Sequence, residues 1–143
     1  IEDMVIILFG TSHDCIGSSG YTVTFDGKNF AGICTDTGVL TDNAKEQLKK
    51  CKAVIIESNH DITMLKKGPY PPQLKMRILS DLGHLSNSAC SEFLPILLKS
   101  STTRFILGHL SQNNNTPMLA LSSAESSLKM MTTLPWLFSK RLL

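Results

Sequence analysis

Short apolar runs that end at glycine or polar residues recur along the chain and predict β-strands. Five runs fit this description: residues 4–9, 21–25, 30–35, 53–56 and Arg104–Gly108. The second and third runs are joined by Asp26-Gly27, a dipeptide typical of hairpin turns. In the first, fourth and fifth runs the apolar residues are contiguous, so we expect those three strands to be buried.

Apolar residues at helical spacing, together with N-cap candidates, predict helices between the later strands. The predicted helices are residues 44–50, a helix after the turn at 68–72 with an apolar stripe of Leu74, Ile78 and Leu82, then 87–99 and 117–131. Pro95 should kink the third of these helices or end it early. Residues 134–138 are too ambiguous to assign. The alternation of strands and helices predicts an α/β (α+β) domain over residues 1–143, with a mixed sheet and flanking helices.

Composition narrows the class of protein. With 143 residues and 42% hydrophobic content, the chain can bury one core. The net charge of +2 does not by itself indicate a nucleic-acid partner, and the basic residues are dispersed apart from Lys49-Lys50-Lys52 and Lys66-Lys67. The four cysteines form no Cys-x-x-Cys pair and lie in or beside predicted core elements, so we expect a reduced, cytoplasmic protein. No apolar run approaches the ~20 residues of a membrane span, so no membrane partner is expected.

The tetrapeptide Gly-His-Leu-Ser occurs twice, and the two copies occupy different predicted structures. His109 follows the apolar strand that ends at Gly108. His84 precedes Ser86 and Asn87, which are favourable N-caps for the following helix. One histidine is therefore presented at the end of a strand and the other at the start of a helix.

Four predicted strands each deliver a polar side chain just past their carboxyl ends: His13, Asp36, Glu57 and His109. Loops at the carboxyl ends of strands converge, so ligands collect there in α/β sheets. His84 adds a group beside backbone N–H donors that favour an anion. Two neutral imidazoles and a carboxylate suit zinc, with manganese or iron as alternatives, and such a metal supplies hydroxide at neutral pH.

Each of these residues also has an ordinary structural interpretation. A histidine after a strand is most often a hydrogen-bonded loop residue, and Thr35-Asp36-Thr37-Gly38 is commonly just an Asx-turn. Glu57 can be a solvated edge residue, and His60 has no ligand-like spacing to the other histidines. An ordinary α/β domain with scattered histidines stays open as an alternative, and it requires the candidate ligands to lie far apart.

Several motifs, taken in chain order, carry a family resemblance. They are His13-Asp14, Thr35-Asp36-Thr37-Gly38, Glu57-Ser58-Asn59-His60-Asp61, Gly68-Pro69-Tyr70-Pro71, Gly83-His84-Leu85-Ser86-Asn87, His109-Leu110-Ser111 and Asn114-Asn115-Thr116-Pro117. This order resembles the C-terminal half of a metallo-β-lactamase-fold hydrolase, and within that superfamily it is most similar to the YycJ/WalJ-type proteins, relatives of ribonuclease Z, ribonuclease J and cyclic phosphodiesterases. The resemblance implies half of an αββα sandwich and hydrolysis of phosphodiester bonds, in a nucleic acid (with a leaning toward DNA exonuclease activity) or in a small phosphodiester.

The resemblance also implies roles for individual residues. His13, Asp36 and His109 match metal ligands, with Asp36 bridging two divalent metals, most simply zinc. His84 matches a residue that contacts the scissile phosphate, so His84 and Asp36 are the expected catalytic residues. Glu57 matches an acid beside the site. Supporting roles fall to Asp14, Asn59, His60 and Asn114.

The principal metal motif of the family, His-x-His-x-Asp-His, does not occur in these 143 residues. The chain also begins at Ile1 and enters its first predicted strand at once, so we expect a fragment or the back half of a larger protein. Alone it should hold an incomplete or empty metal site and be inactive. Its uncovered apolar faces should favour a homo-oligomer or the missing half as partner. The alternative function is a non-catalytic half-domain that acts as a structural or interaction module.

Overall fold

The computed structural model describes residues 3–130, which form one sheet with five helices. The strands are β1 (Met4–Gly10), β2 (Ser19–Phe25), β3 (Lys28–Cys34), β4 (Ala53–Glu57) and β5 (Arg104–Gly108). The helices are α1 (Asp42–Leu48), α2 (Ile62–Lys67), α3 (Pro72–Leu79), α4 (Asn87–Lys99) and α5 (Pro117–Lys129). None of these helices is long and apolar enough to cross a membrane.

The sheet is mixed, as the sequence predicts, with its strands in the order β1-β2-β3-β4-β5. The pairs β1–β2 and β2–β3 are antiparallel, whereas β3–β4 and β4–β5 are parallel. Asp26 and Gly27 both have positive φ, 48° and 67°, which a two-residue turn with right-handed strand twist requires. Strands β1, β3, β4 and β5 therefore run in one direction, and their carboxyl ends lie at the same edge of the sheet.

The hydrophobic core joins the sheet to the helices. Its fully buried members include Leu48 of α1, Ile56 of β4 and Leu97 of α4. Gly32 allows α1 to pack closely on β3, since a β-carbon at Gly32 would lie 2.8 Å from a methyl group of Leu48. Burial of each such side chain contributes about 1.5–3 kcal/mol, so this cluster is what holds the helices in place.

Pro95 lies inside α4, and the helix continues through it to Lys99. Pro95 therefore does not end the helix early, and the alternative, a kink at Pro95, stays a prediction. Pro95 has no N–H to donate to the carbonyl of Ser91, one turn earlier. The hydroxyl of Ser127 in α5 donates to that carbonyl instead, at 2.7 Å. The packing of α5 on α4 thus supplies the hydrogen bond that the proline removes.

Strand burial differs from the prediction at both edges of the sheet. Five consecutive apolar side chains of β1, from Met4 to Leu8, are 41–69% exposed, and only Phe9 is buried. β1 is an edge strand, and the contacts that α1 makes with it leave these five side chains exposed. In β5, Phe105 and Leu107 pack against the core while Ile106 is 45% exposed. Contiguous apolar residues therefore did not mean burial on both faces.

Two further differences concern helices. The sequence pattern did not predict α2, a six-residue helix whose N-cap is Asp61. Leu82 was placed on the apolar stripe of the following helix, but α3 ends at Leu79 and Leu82 is 52% exposed. The early end has a local cause, because the hydroxyl and the N–H of Ser80 both donate to the carbonyl of Arg77. The expectations for residues 131 and 134–138 fall outside the described part of the chain.

The cysteines follow the expected pattern with one exception. Three are free, fully buried thiols: Cys34, Cys51 and Cys90. Burial raises the pKa of the Cys34 and Cys90 thiols to about 12 and that of Cys51 to about 11. These three act as small apolar side chains. Cys15, in the loop after β1, is exposed.

Candidate metal and phosphate site

The carboxyl ends of four parallel-running strands bring together the side chains that the sequence singled out. His13 follows β1, Asp36 follows β3, Glu57 ends β4 and His109 follows β5. His84 joins them from the segment between α3 and α4. The ring of His84 lies between the other two imidazoles, with centroids 4.9 Å from His13 and 5.2 Å from His109. The scattered arrangement that an ordinary α/β domain would require is therefore absent from this part of the molecule.

Asp36 lies between His13 and His109. Its Oδ1 is 4.0 Å from Nε2 of His13 and 3.6 Å from Nε2 of His109. Asp36 and His109 both have a left-handed backbone, with φ of 53° and 56°, a conformation that is costly for residues other than glycine. The surrounding loops therefore impose this conformation on both residues, and this turns the two side chains toward one point.

Hydrogen bonds fix which nitrogen of each imidazole faces Asp36. Nδ1 of His13 donates to the carbonyl of Gly83 at 2.9 Å, because a carbonyl oxygen can only accept. Nδ1 of His109 donates to Oε1 of Glu57 at 2.7 Å. In the neutral rings, Nε2 then carries the lone pair and is free to bind a metal. Both histidines present this atom to Asp36.

Glu57 is fully buried and organises two of the histidines. Its Oε1 accepts from Nδ1 of His84 and from Nδ1 of His109, each at 2.7 Å. Its Oε2 accepts from the backbone N–H of Thr37 at 2.8 Å. A buried carboxylate is tolerated because all of these donors converge on it. Glu57 thus links the loops that carry Asp36, His84 and His109, and it is not a solvated edge residue.

His84 differs from the other two histidines of the cluster. The hydrogen bond to Glu57 raises the pKa of His84, against the opposing effect of burial. A histidine that is more easily protonated is better suited to hold an anion than to bind a cation. Nevertheless, His84 belongs to both groups of side chains that have metal-binding geometry among the described residues. One group joins it to His13 and Asp36, and the other joins it to Glu57 and His109.

The structure brings two of the four predicted supporting residues, Asp14 and Asn59, into contact with residues of this cluster. Asp14 forms an ion pair with Arg77, which lowers its pKa, and lies 3.5 Å from Nε2 of His13. Nδ2 of Asn59 donates to the carbonyl of His109 at 2.9 Å. The backbone carbonyl of Asn114 accepts from the N–H of Asp61.

His60 is buried at 1% exposure and is absent from the groups with metal-binding geometry among residues 3–130. Neither ring nitrogen has a hydrogen-bond partner in that part of the chain, and burial lowers its pKa. Its backbone forms a parallel bridge to Ser86, which ties the end of β4 to the start of α4.

Sequence reasoning missed three groups that orient the site. These are the Gly83 carbonyl that orients His13, the Thr37 N–H that binds Glu57 and the Arg77 guanidinium that holds Asp14. Arg77 and Asp14 are 63 residues apart, and no local pattern connects them. Only the fold brings them into contact.

Comparison with known proteins finds relatives that match most of this chain. No protein-family model matches it. Exodeoxyribonuclease WalJ of Streptococcus pneumoniae is 42% identical over 118 residues, which cover 82% of this chain and 44% of that protein. Exodeoxyribonuclease YycJ of Bacillus anthracis is 36% identical over 127 residues, which cover 89% of this chain and 48% of that protein. The chain is a homologue of the WalJ/YycJ proteins. It spans about half the length of the curated relatives it matches.

Solved structures agree on the fold. Human tRNase Z, short form, superimposes with a TM-score of 0.56 at 20% identity, over 78% of this chain and 38% of that chain. Zn²⁺-bound PqqB from Methylobacterium extorquens gives a TM-score of 0.59 at 11% identity, over 89% of this chain and 47% of that chain. Both are metallo-β-lactamase-fold proteins, so the resemblance and the fold class expected from the sequence are confirmed.

Proposed function

We propose that this chain supplies part of the active site of a metal-dependent hydrolase that cleaves phosphodiester bonds, with a DNA strand as the substrate. One observation carries the proposal: Nε2 of His13 and Nε2 of His109 converge on the same oxygen of Asp36. The exodeoxyribonuclease names of the two curated relatives support a nucleic-acid substrate. A small phosphodiester is the alternative substrate.

The donor set fits divalent zinc, with manganese or iron as alternatives. Imidazole nitrogen and carboxylate oxygen are ligands that zinc accepts readily. In each proposed histidine ligand Nδ1 is engaged by an acceptor, the Gly83 carbonyl for His13 and Glu57 for His109. That hydrogen bond fixes the ring and leaves Nε2 available. His13, Asp36 and His109 would hold the metal.

A divalent centre at this position supplies activation of water at neutral pH and neutralisation of charge on the phosphate. The role of the remaining residues follows from their contacts. His84 lies beside the proposed ligands with its Nδ1 held by Glu57, so its Nε2 is the atom that would face the phosphate. There it would stabilise charge or transfer a proton. Glu57 would act through His84 and His109 as a positioning residue.

Three ligands do not close a two-metal site, and the chain has only four histidines in all. We expect the remaining ligands to come from polypeptide outside these 143 residues. The exposed faces of β1 would be covered by that polypeptide or by a second copy of the chain. The chain alone would then bind metal weakly and turn over little substrate. Three buried, unpaired thiols favour a reducing compartment such as the cytoplasm.

The test compares the chain alone with the chain joined to the part of the pneumococcal relative that it does not match. Metal content is measured by mass spectrometry, and turnover with bis-p-nitrophenyl phosphate and an end-labelled DNA strand. We expect metal and turnover in the joined protein, loss of both in Asp36→Asn, and loss of rate with metal retained in His84→Ala. Absence of both metal and turnover in the joined protein would favour the non-catalytic half-domain. Metal loss in His84→Ala would show that the roles of His84 and the ligand histidines are wrongly assigned.

A further inference from the structure

A basic surface lies on α2, α3 and the turn between them. Residues 62–80 contain four of the chain's 14 basic residues and no acidic residue. The four are Lys66, Lys67, Lys75 and Arg77. Nζ of Lys75 donates to the backbone carbonyl of Lys66 at 2.8 Å, which brings the lysine of α3 to the end of α2. The fold therefore assembles a cluster that the sequence shows only as Lys66-Lys67.

An ion pair connects this surface to the proposed site on the side of His13. Nη2 of Arg77 donates to Oδ1 of Asp14 at 2.9 Å, and the same oxygen lies 3.5 Å from Nε2 of His13. Arg77 is thereby neutralised and serves as an anchor. The three lysines have no described carboxylate partner, so they retain their charge for a ligand.

The surface is also fastened on the His109 side. Nδ2 of Asn113, four residues beyond His109, donates to the hydroxyl of Tyr70 at 2.9 Å. Gly68 permits close packing there, since a β-carbon at Gly68 would lie 2.8 Å from Oδ1 of Asn114. The hydrogen bond fixes the half-buried ring of Tyr70 beside the turn that follows β5. Contacts on both sides keep α2 and α3 next to the site.

From this arrangement we infer that the surface formed by Lys66, Lys67, Lys75 and Tyr70 binds the single DNA strand that leads into the proposed site. The inference rests on the proposed function, because it assumes that the site acts on a phosphodiester. Lysines beside an accessible aromatic ring are the groups that bind single strands, through phosphate contacts and base stacking. The chemistry of the surface is thus complementary to a polyanion with planar bases and not to an isolated phosphate.

The test is binding of a 5′-fluorescein-labelled 20-residue oligodeoxythymidylate, measured by fluorescence anisotropy in EDTA between 50 and 300 mM KCl. The first variant combines K66A, K67A and K75A. The matched control combines K49A, K50A and K52A, which removes the same charge just before β4, at the opposite end of the sheet. Circular dichroism checks that all variants are folded.

We expect the first variant to bind roughly 10- to 100-fold more weakly at 0.1 M salt. The slope of log binding constant against log salt concentration should be smaller in magnitude by about 2, since each phosphate contact contributes about 0.7 to it. The control should stay within about twofold, because charges beyond ~10 Å are screened. Tyr70→Ala should weaken binding at least about 5-fold, whereas Tyr70→Phe keeps the stacking ring, loses only the hydrogen bond to Asn113, and should bind more tightly than Tyr70→Ala.

Equal weakening in both triple variants, or no binding by the parent chain at 50 mM salt, would overturn the inference. Tighter binding of oligouridylate would overturn the assignment to DNA. EDTA removes turnover from the measurement, so the two proposals fail separately. If the joined protein binds DNA without hydrolysing it, only the proposed function is contradicted. If the two triple variants bind DNA equally well, only the DNA-binding surface is contradicted, and the proposed metal site is unaffected.

Discussion

Replacement of Glu57 by glutamine should destabilise the protein although the side chain keeps its shape. The buried carboxylate accepts three N–H groups, from His84, His109 and Thr37. Glutamine has one acceptor oxygen and one NH₂ group, so at least one of the three donors will face another donor as long as both imidazoles keep the Nδ1–H tautomer. A buried unpaired donor costs about 1–3 kcal/mol, and loss of charge weakens the remaining hydrogen bonds by about 1 kcal/mol. We expect Glu57→Gln to lower the free energy of unfolding by about 2–4 kcal/mol.

The assay is urea unfolding followed by circular dichroism at pH 7, with EDTA present so that metal does not contribute. Glu92→Gln is the matched control, because Glu92 is exposed on α4 and its replacement should cost less than about 0.5 kcal/mol. Glu57→Ala should cost at least as much as Glu57→Gln, since it leaves all three donors without the carboxylate. If Glu57→Gln unfolds within 0.5 kcal/mol of the parent chain, the view that Glu57 holds the site together is wrong.

Three further predictions concern other parts of the molecule. Burial lowers the pKa of His60 below 6.5, so the neutral form is favoured in the folded state. The contribution of His60 to the free energy of unfolding should be complete above about pH 6.5 and fall as the pH drops toward the folded-state pKa, by at most about 1.4 kcal/mol per pH unit. Urea unfolding from pH 5 to 8 should show a smaller fall in His60→Gln, and an equal pH dependence of the two proteins would contradict the prediction. In the native protein at pH 8, Ellman's reagent should modify Cys15 rapidly and the three buried thiols only after unfolding, and four fast thiols would show that burial does not protect them. A β-carbon at Gly83 would lie 2.2 Å from the carbonyl of Arg77, so Gly83→Ala should lower the melting temperature by 5 °C or more, whereas Gly10→Ala, with open space around it, should shift it little; equal shifts would refute the argument.

Local patterns in the sequence were sufficient to predict where the strands end and hence which polar side chains come together. Because β1, β3, β4 and β5 point one way, residues that follow them had to meet, and His13, Asp36 and His109 do. The role of Glu57 as a shared acceptor was not predictable, since it depends on His84 arriving from a different segment. No pattern in the sequence predicts that α3 contacts the loop after β1, so the pair of Arg77 and Asp14 was not predictable either.

Burial was the least predictable property. The apolar run of β1 resembles that of β4, yet Val54 and Ile56 are buried while Ile6 and Leu8 are exposed. The difference lies in position within the sheet, because β4 is an interior strand and β1 is at the edge. Pro95 shows the same dependence on context, since the hydroxyl of Ser127 compensates for the missing donor. Both outcomes depend on partners far away in the chain.

The left-handed backbone at Asp36 has a consequence for protein engineering. Asparagine adopts this conformation more readily than most residues. Asp36→Asn should therefore leave the fold as stable as before or more stable, while removing a proposed ligand. His109→Gly would also relieve its backbone, but it would take one hydrogen-bond donor from the buried carboxylate of Glu57. Under the proposed function, selection for thermostability and selection for activity would therefore pull in opposite directions at Asp36. A library screened only for a higher melting temperature would be expected to erode the proposed site first at Asp36.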